Sequence, residues 1–242
     1  MKNREPNASR VPGTESPAGG LLYVVGTPIG NLRDISLRAL DVLGEVDLIA
    51  AEDTRHTRKL LSHYNIHTPL FSCYEHNQAL RLPYILAQLR DGRRLALVSN
   101  AGMPGISDPG YPVIRAALGE GFPVIPIPGP SALLLGIVVS GIDPGRFVFE
   151  GFLGRTRAQR RRRLQFLAVE SRTIVLYEAP HRIRKLLAEV EDILGNRRIA
   201  LARELSKRFE EVIRGSVSEV RSRMETSVPR GEFTVIIAGR SD

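Results

Sequence analysis

Short apolar runs alternate with helix-like stretches along most of the chain. Leu21–Val25, Asp47–Ala51, Leu95–Ser99 and Val124–Ile127 are apolar with little in-out alternation, as expected of strands buried on both faces of a parallel sheet. Thr68–Phe71 supplies a further short strand. Between them Ser36–Leu43, Thr54–His63, Gln78–Arg90 and Tyr111–Leu118 read as helices. The second half repeats the scheme. Strands are predicted at Phe147–Phe149, Thr173–Tyr177, Ile199–Ala202 and Phe233–Ala238, with Glu211–Gly215 as an added strand. Helices are predicted at Arg160–Ala168, His181–Leu194 and Ser216–Met224.

Continuous strand-helix alternation specifies an α/β fold. The Pro-rich run Ile125–Ala132 (IPIPGPSA) lies at the midpoint and reads as a rigid joint between two lobes. The expected organisation is a disordered leader over 1–20, an N-terminal α/β lobe over 21–129 and a C-terminal α/β lobe over 130–242. Each lobe should carry a mostly parallel or mixed sheet flanked by helices. The leader holds three Pro and three Gly and no apolar centre, so it resembles neither a secretory signal nor a folding segment.

Composition narrows the setting. The chain has 242 residues, 43% apolar and 25% charged, the balance of an ordinary globular protein. Its longest apolar run, Ala132–Val139, falls short of the roughly 18 to 20 residues that span a bilayer, so membrane insertion is not expected. Cys73 is the only cysteine; no internal disulfide is possible, and a reducing cytoplasm fits. Net charge is +8. Lys2, Arg4 and Arg10 are nearly balanced by Glu5 and Glu15, so the surplus lies beyond the leader. It is concentrated in Arg155–Arg163 (RTRAQRRRR), six arginines with no acid. Such a run is either a solvated face or a seat for a polyanion, of which nucleic acid is the commonest.

Three loops follow predicted strands, where open α/β sheets hold ligands. In Val25–Asp34 (VGTPIGNLRD), Pro28 donates no amide hydrogen, and neither GxGxxG nor a P-loop occurs in the chain, which disfavours a phosphate-bearing cofactor. Val98–Pro112 (VSNAGMPGISDPGYP) must wind, because Gly102, Pro104, Gly105, Pro109 and Gly110 suit neither helix nor strand. Ser99, Asn100, Ser107 and Asp108 line that path with short polar groups, suited to a neutral or zwitterionic ligand or to a purely structural Ω-like loop. In Pro128–Ala132, Gly129 permits close backbone approach and Ser131 can cap the apolar helix that follows; read alone, the segment is equally a turn and an N-cap.

Taken together, VGTPIGNLRDIS (Val25–Ser36), AAEDTRHTRKLL (Ala50–Leu61), LVSNAGMPGISDPGYPVI (Leu97–Ile114), PIPGPSA (Pro126–Ala132), GFLGR (Gly151–Arg155), YEAPHRI (Tyr177–Ile183) and ARELSKRFEE (Ala202–Glu211) resemble the ribosomal RNA small subunit methyltransferase I family of the tetrapyrrole methylase group. The strings occur in family order from about Leu21 onward. The resemblance implies two α/β lobes with S-adenosylmethionine in a cleft between them, a homodimer, and 2′-O-methylation of a cytidine ribose in small-subunit ribosomal RNA. The expected partner is ribosomal RNA or the small ribosomal subunit, and no metal is required. By position, the cofactor would be held by Gly26 and Pro28; by Ser99, Asn100, Ala101, Gly102, Pro104, Ser107 and Asp108; and by Pro128, Gly129, Ser131 and Ala132. Where the family reads S-D-A-G-T-P this chain has Asn100 for the Asp and Met103 for the Thr. Asn100 keeps an acceptor oxygen but loses the charge and the ability to take a proton.

Methyl transfer to a hydroxyl needs alignment and a proton acceptor. Glu178 and His181, in YEAPHR after a strand, are the expected catalytic pair; the alternative is that Glu178 only pairs with Arg182 or Arg203. Arg155, Arg157 and Arg160–Arg163 (including Arg161 and Arg162) are the expected RNA contacts, gripping phosphates without reading bases. Glu52, Asp53 and Arg55 are either site or cap residues, and Glu204 and Lys207 orient substrate or form an ion pair. The histidines show no zinc spacing and no GxSxG elbow occurs. Two rival readings are a tetrapyrrole methyltransferase of the same fold and, given Asn100 and Met103, a ribosome-binding homologue with weakened catalysis.

Overall fold

A computed structural model describes residues 19–226 and 228–240. The expected leader, apart from Gly19 and Gly20, lies outside the described residues. The chain divides into two compact units: one runs to Pro130 without Ile29–Asn31, and the other combines that tripeptide with everything from Ser131 onward.

The first unit holds strands β1 (Leu21–Val25), β2 (Leu48–Ala51), β3 (Leu70–Ser72), β4 (Arg94–Val98) and β5 (Val124–Ile127), and helices α1 (Leu37–Glu45), α2 (Thr54–His63), α3 (Gln78–Arg90) and α4 (Tyr111–Gly119). All strand pairs are parallel, in the order β3-β2-β4-β1-β5. The unalternating runs are explained by two separate apolar clusters. Ile49, Ala51, Ala96 and Val98 pack with Ala39 and Leu43 of α1 and Leu60 and Leu61 of α2. Their strand neighbours Ala50, Leu95 and Leu97 join Ile85 and Leu89 of α3 and Val113 and Ala117 of α4. Alternate residues of one strand thus meet different apolar layers, and every position must be apolar. Ser36 caps α1 by accepting the Ala39 N–H at 3.1 Å, and Asp53 caps α2 through the N–H groups of Arg55 and His56.

The second unit holds α5 (Ala132–Ser140), β6 (Phe147–Phe152), α6 (Arg157–Leu167), β7 (Thr173–Glu178), α7 (Ile183–Leu194), β8 (Arg198–Arg203), β9 (Glu211–Ser216), α8 (Val217–Thr226) and β10 (Phe233–Ile237). Its sheet is mixed, in the order β6-β7-β10-β8-β9: β6 and β7 are parallel, and the remaining pairs are antiparallel. Helices α6, α7 and α8 cover one face, and α5 with Ile29 covers the other. Strand β6 runs three residues beyond its expected end because a register shift at Phe149/Gly151, with Gly151 at φ 60°, keeps it paired. No helix of the described residues is long and apolar enough to cross a membrane.

Helix α6 begins three residues earlier than expected. Thr156 and Gln159 form a capping box, each side chain taking the other's backbone N–H at 3.3 Å. The start fixes the register that buries Leu164 and Leu167, and the same inward face carries Arg160. Arg160 is 6% exposed, and its guanidinium grips Glu189 of α7 through two hydrogen bonds of 2.8 and 2.9 Å. Removing one partner strands a buried charge, which costs about 3–5 kcal/mol, whereas an apolar pair of similar volume is close to neutral. Glu189→Ala should therefore lower the unfolding free energy by about 3 kcal/mol in urea titration, and Arg160→Met with Glu189→Leu should recover most of it. Equal stability of the single variant and wild type would contradict this.

Candidate functional site

In the first sheet β1 lies between β4 and β5, and all three strands run the same way, so the loops leaving them emerge side by side. The chain leaves β2 outward to β3 and leaves β4 across β1 to β5, the divergence at which parallel α/β sheets form ligand crevices. The three loops are bonded to one another. Gly26 N–H donates to Ile127 O at 3.0 Å; Thr27 and Gly102 exchange N–H···O bonds of 2.9 and 3.0 Å; the Thr27 hydroxyl donates to Ser99 O at 3.1 Å. Ser36 donates to Pro128 O at 3.1 Å. Gly26 and Gly129 touch backbone to backbone: a Cβ on Gly129 would lie 2.7 Å from Gly26 Cα and C, and one on Gly26 would meet Gly129 Cα at the same distance.

The Ser99–Asp108 loop winds as its glycines require. Gly102 and Gly105 lie at φ 84° and 83°, and Ser107 takes the left-handed conformation at φ 63° despite its side chain. Asn100 N–H donates to Glu52 Oε2 at 3.0 Å, which brings the AEDTR string into this site. Asn100 Oδ1 is buried and has no hydrogen-bond partner among the described residues. Such an acceptor is costly to leave unpaired. Ala101 and Ser107 are exposed and Pro104 is buried. Ser131 serves as N-cap of α5, accepting the Leu134 N–H, and Ala132 is the first residue of that helix.

In the second unit GFLGR and YEAPHR meet. Arg182 donates to Leu153 O at 2.8 Å and Gly154 O at 3.2 Å. Arg155, Arg157, Arg160, His181, Arg182 and Lys185 are among the residues around a depression of about 860 Å³. Two of these cations are already matched, Arg160 by Glu189 and Arg182 by Glu178 at 3.1 Å. Arg155, Arg157, His181 and Lys185 are exposed, so the depression is basic.

A family model described as tetrapyrrole (corrin/porphyrin) methylases matches residues 21–221. The chain is 49% identical over 221 residues to ribosomal RNA small subunit methyltransferase I of Synechocystis, covering 91% of this chain and 79% of that protein. Against the protein of the same name from Thermotoga maritima it is 48% identical over 221 residues, covering 91% and 99%. The chain belongs to the ribosomal RNA small subunit methyltransferase I family. Among solved structures, uroporphyrin-III-C-methyltransferase from Thermus thermophilus aligns with a TM-score of 0.63 at 20% identity over 90% of this chain and 94% of that one. The conserved hypothetical protein APE0931 from Aeropyrum pernix aligns with a TM-score of 0.70 at 16% identity over 93% and 86%. These likenesses show the fold, the tetrapyrrole methylase architecture of two α/β units.

For this member of the family, the geometry places two of the expected site residues in buried ion pairs. Glu178 has a fully buried side chain, tied to Arg182 and to the Ala179 N–H at 2.8 Å. Burial pushes its carboxyl up from the usual range, against that N–H and the nearby cations. Through these contacts it anchors the YEAPHR turn, while its Oε2 is buried without a hydrogen-bond partner among the described residues. Arg160 likewise holds α6 to α7 and has no free guanidinium face for RNA. Arg161 pairs with Asp192 at 2.7 Å and Arg163 with Glu150 at 2.6 Å, while Arg157 lies 4.0 Å from Glu189 and is largely exposed. Arg162 points to solvent without a carboxylate partner among the described residues. Met103, the other departure, lies against Gly26: a Cβ there would come within 2.7 Å of its sulfur.

Two neighbours of Lys207, Glu232 and Gly30, left no trace in the local sequence pattern. Lys207 donates to both Glu204 and Glu232 at 2.9 Å. Its stem lies against Gly30, where a Cβ would fall 2.2 Å from Lys207 Cγ. Burial opposes its charge, but the two carboxylates outweigh that and raise its pKa. Glu204 and Ser206 adopt φ 52° and 68°, a strained turn that such a network must hold. The RELSK spacing suggests the Glu204 pair; Glu232 and Gly30 are distant in sequence and give no signal. Gly129→Ala should lower the stability of the first unit by about 1–3 kcal/mol, because the methyl group has only backbone to displace; an unfolding midpoint equal to wild type would contradict the tight contact.

Proposed function

We propose that this methyltransferase moves a methyl group from S-adenosylmethionine to the 2′-hydroxyl of a cytidine in small-subunit ribosomal RNA. The observation that carries the reading is the buried, unpartnered Asn100 Oδ1 within three loops bonded to one another, in a chain nearly half identical to proteins named as ribosomal RNA methyltransferases. That site fits the methyl donor. Asn100 offers an acceptor for an amino or hydroxyl group, Glu52 places a carboxylate beside it, and the absence of a phosphate cradle suits a cofactor without phosphate.

Gly26, Pro28, Ser99–Asp108, Pro128 and Gly129 would hold the donor largely through backbone groups, with Ser131 and Ala132 opening the helix that follows. When bound, the donor supplies an electrophilic methyl carbon whose bond to sulfur breaks as the ribose oxygen attaches, the electron pair remaining on sulfur. Rigid loops contribute by fixing alignment, the main help such a displacement needs. The hydroxyl proton requires an acceptor; of the expected pair only His181 has an exposed ring, and it stands among cations suited to hold phosphates on either side of the target ribose. Arg155, Arg157, Arg162 and Lys185 would grip the RNA backbone.

In isothermal titration with S-adenosylmethionine, Asn100→Leu should weaken binding about tenfold or more, and Asn100→Asp, which keeps an acceptor oxygen, should stay within a few-fold of wild type. Equal affinity for the Leu variant would remove Asn100 from the site. Labelled methyl donor should be incorporated into unmethylated small subunits or naked ribosomal RNA, with nucleoside analysis locating it on a cytidine 2′-oxygen, and not into a tetrapyrrole mixture. His181→Ala should lower kcat at least tenfold without a matching drop in RNA affinity. Label on a tetrapyrrole would sink the assignment, and unchanged kcat would sink the role of His181.

A further inference from the structure

A second set of arginines gathers at the other end of the second sheet, far apart in sequence and separate from Arg155–Arg163. Strands β6, β7 and β8 run in one direction and β10 runs against them. The starts of the first three and the end of β10 therefore share one edge, opposite the edge that carries GFLGR and YEAPHR. Arg146 precedes β6, Arg172 precedes β7, Arg198 opens β8, and Arg240 follows β10. In the order β6-β7-β10-β8, neighbouring strands are about 4.8 Å apart, so these arginines form a row of about 15 Å. Two adjoining depressions of about 260 and 470 Å³ lie along it and share Arg198, Ala238 and Gly239.

Among the described residues, the local carboxylates do not balance this charge. Glu170 is taken by Arg172 through two hydrogen bonds of 2.9 and 2.8 Å. Asp143 lines one depression and accepts the Gly145 N–H. Arg197, beneath the row, has only carbonyl partners among the described residues: Leu194 O and Ala168 O, at the C-termini of α7 and α6, and more distantly Glu170 O and Ala238 O. It is a structural cation capping two helices. Burial and the charge of Arg240 pull its pKa down, a sign that positive charge is crowded here. Among the described residues no carboxylate lies within 4 Å of Arg146, Arg198 or Arg240, and all three are exposed. The row is also built to close tolerance. Arg240 N–H donates to Glu170 O at 2.6 Å, and a Cβ on Gly239 would fall 1.9 Å from Ser171 O, so a glycine is needed to bring the Arg240 segment against the Arg172 turn.

A row of exposed like charges with no carboxylate beside it among the described residues suits an extended polyanion better than a single phosphate. We propose that Arg146, Arg198 and Arg240 form a second phosphate-binding surface that holds the RNA backbone away from the reacting nucleotide. This rests on the reading of ribosomal RNA as substrate. The surface lies one strand length, roughly 20 Å, from the basic depression between α6 and α7, so the RNA is anchored at both ends of the sheet. Contacts of this kind set register and affinity and carry no base specificity.

The test uses the full chain and a labelled fragment of small-subunit ribosomal RNA, with affinity measured across a series of KCl concentrations. Arg146→Gln/Arg198→Gln/Arg240→Gln should bind at least tenfold more weakly. Its slope of log K against log salt should be shallower by about two, since each phosphate left without its arginine takes roughly 0.7–0.9 off the slope. S-adenosylmethionine affinity and thermal midpoint should stay at wild-type values, and the corresponding triple Lys variant, which keeps the charge, should restore the slope. A triple Gln variant that equals wild type in affinity and slope overturns the second surface while leaving the methyltransferase reading intact. A wild-type protein that binds no RNA overturns both. Arginine-dependent capture by phosphatidylserine vesicles, with RNA binding untouched by the substitutions, assigns the row to lipid and also overturns the proposal.

Discussion

Where Gly26 meets Gly129, two backbone segments approach so closely that a single methyl group on either would overlap the other's main chain. Most of the first unit's functional geometry depends on that contact. It is possible only because β1 lies beside β5, and it is fixed by the Thr27–Gly102 exchange, which ties in the loop from β4 on the opposite side. Backbone-to-backbone contact leaves few rotamers to adjust. The carbonyls and N–H groups of these loops are thus set by the sheet, and side-chain motion has little part in placing them. Asn100 is held in the same way, through its N–H to Glu52, with its side-chain oxygen left over.

The second unit handles its charge differently. It holds two cation–carboxylate pairs, Arg160 with Glu189 buried and Arg182 with Glu178 partly so, and uses them to lock helices and turns whose exposed neighbours then carry the positive surface. A run of six arginines consequently does several jobs, because a helix with 3.6 residues per turn presents successive residues to different surroundings. Arg160 turns inward to Glu189 of α7, Arg161 and Arg163 meet carboxylates nearer the surface, and Arg155, Arg157 and Arg162 are exposed. The far edge follows the same logic: Arg172 and Arg197 brace the structure, while Arg146, Arg198 and Arg240 are left outward.

Much of the fold was legible in the residues. Strand runs without alternation implied layers on both faces, and the loops Val25–Asp34 and Val98–Pro112 announced themselves by Gly and Pro where no regular element can form. Ser36, Asp53 and Ser131 occupy cap positions of a kind their residue types favour. The site was less legible where it depended on side-chain direction. Glu178 and His181 are three residues apart after one strand, yet one is sealed inside and the other exposed; strand pairing and the placement of α7 decide that.

Local chemistry in the chain by itself determined the α/β elements, the kinked loops, the concentration of charge and the family. These are properties of neighbours in sequence: periodicity, turn residues and runs of like charge. Only the tertiary structure decided which arginines are structural, that Glu52 reaches Asn100, that Lys207 joins Glu204 to Glu232 over Gly30, and that four scattered arginines form a row. Each of those depends on strand order and direction, which bring residues tens of positions apart to one edge, and no local pattern records which strand will lie beside which.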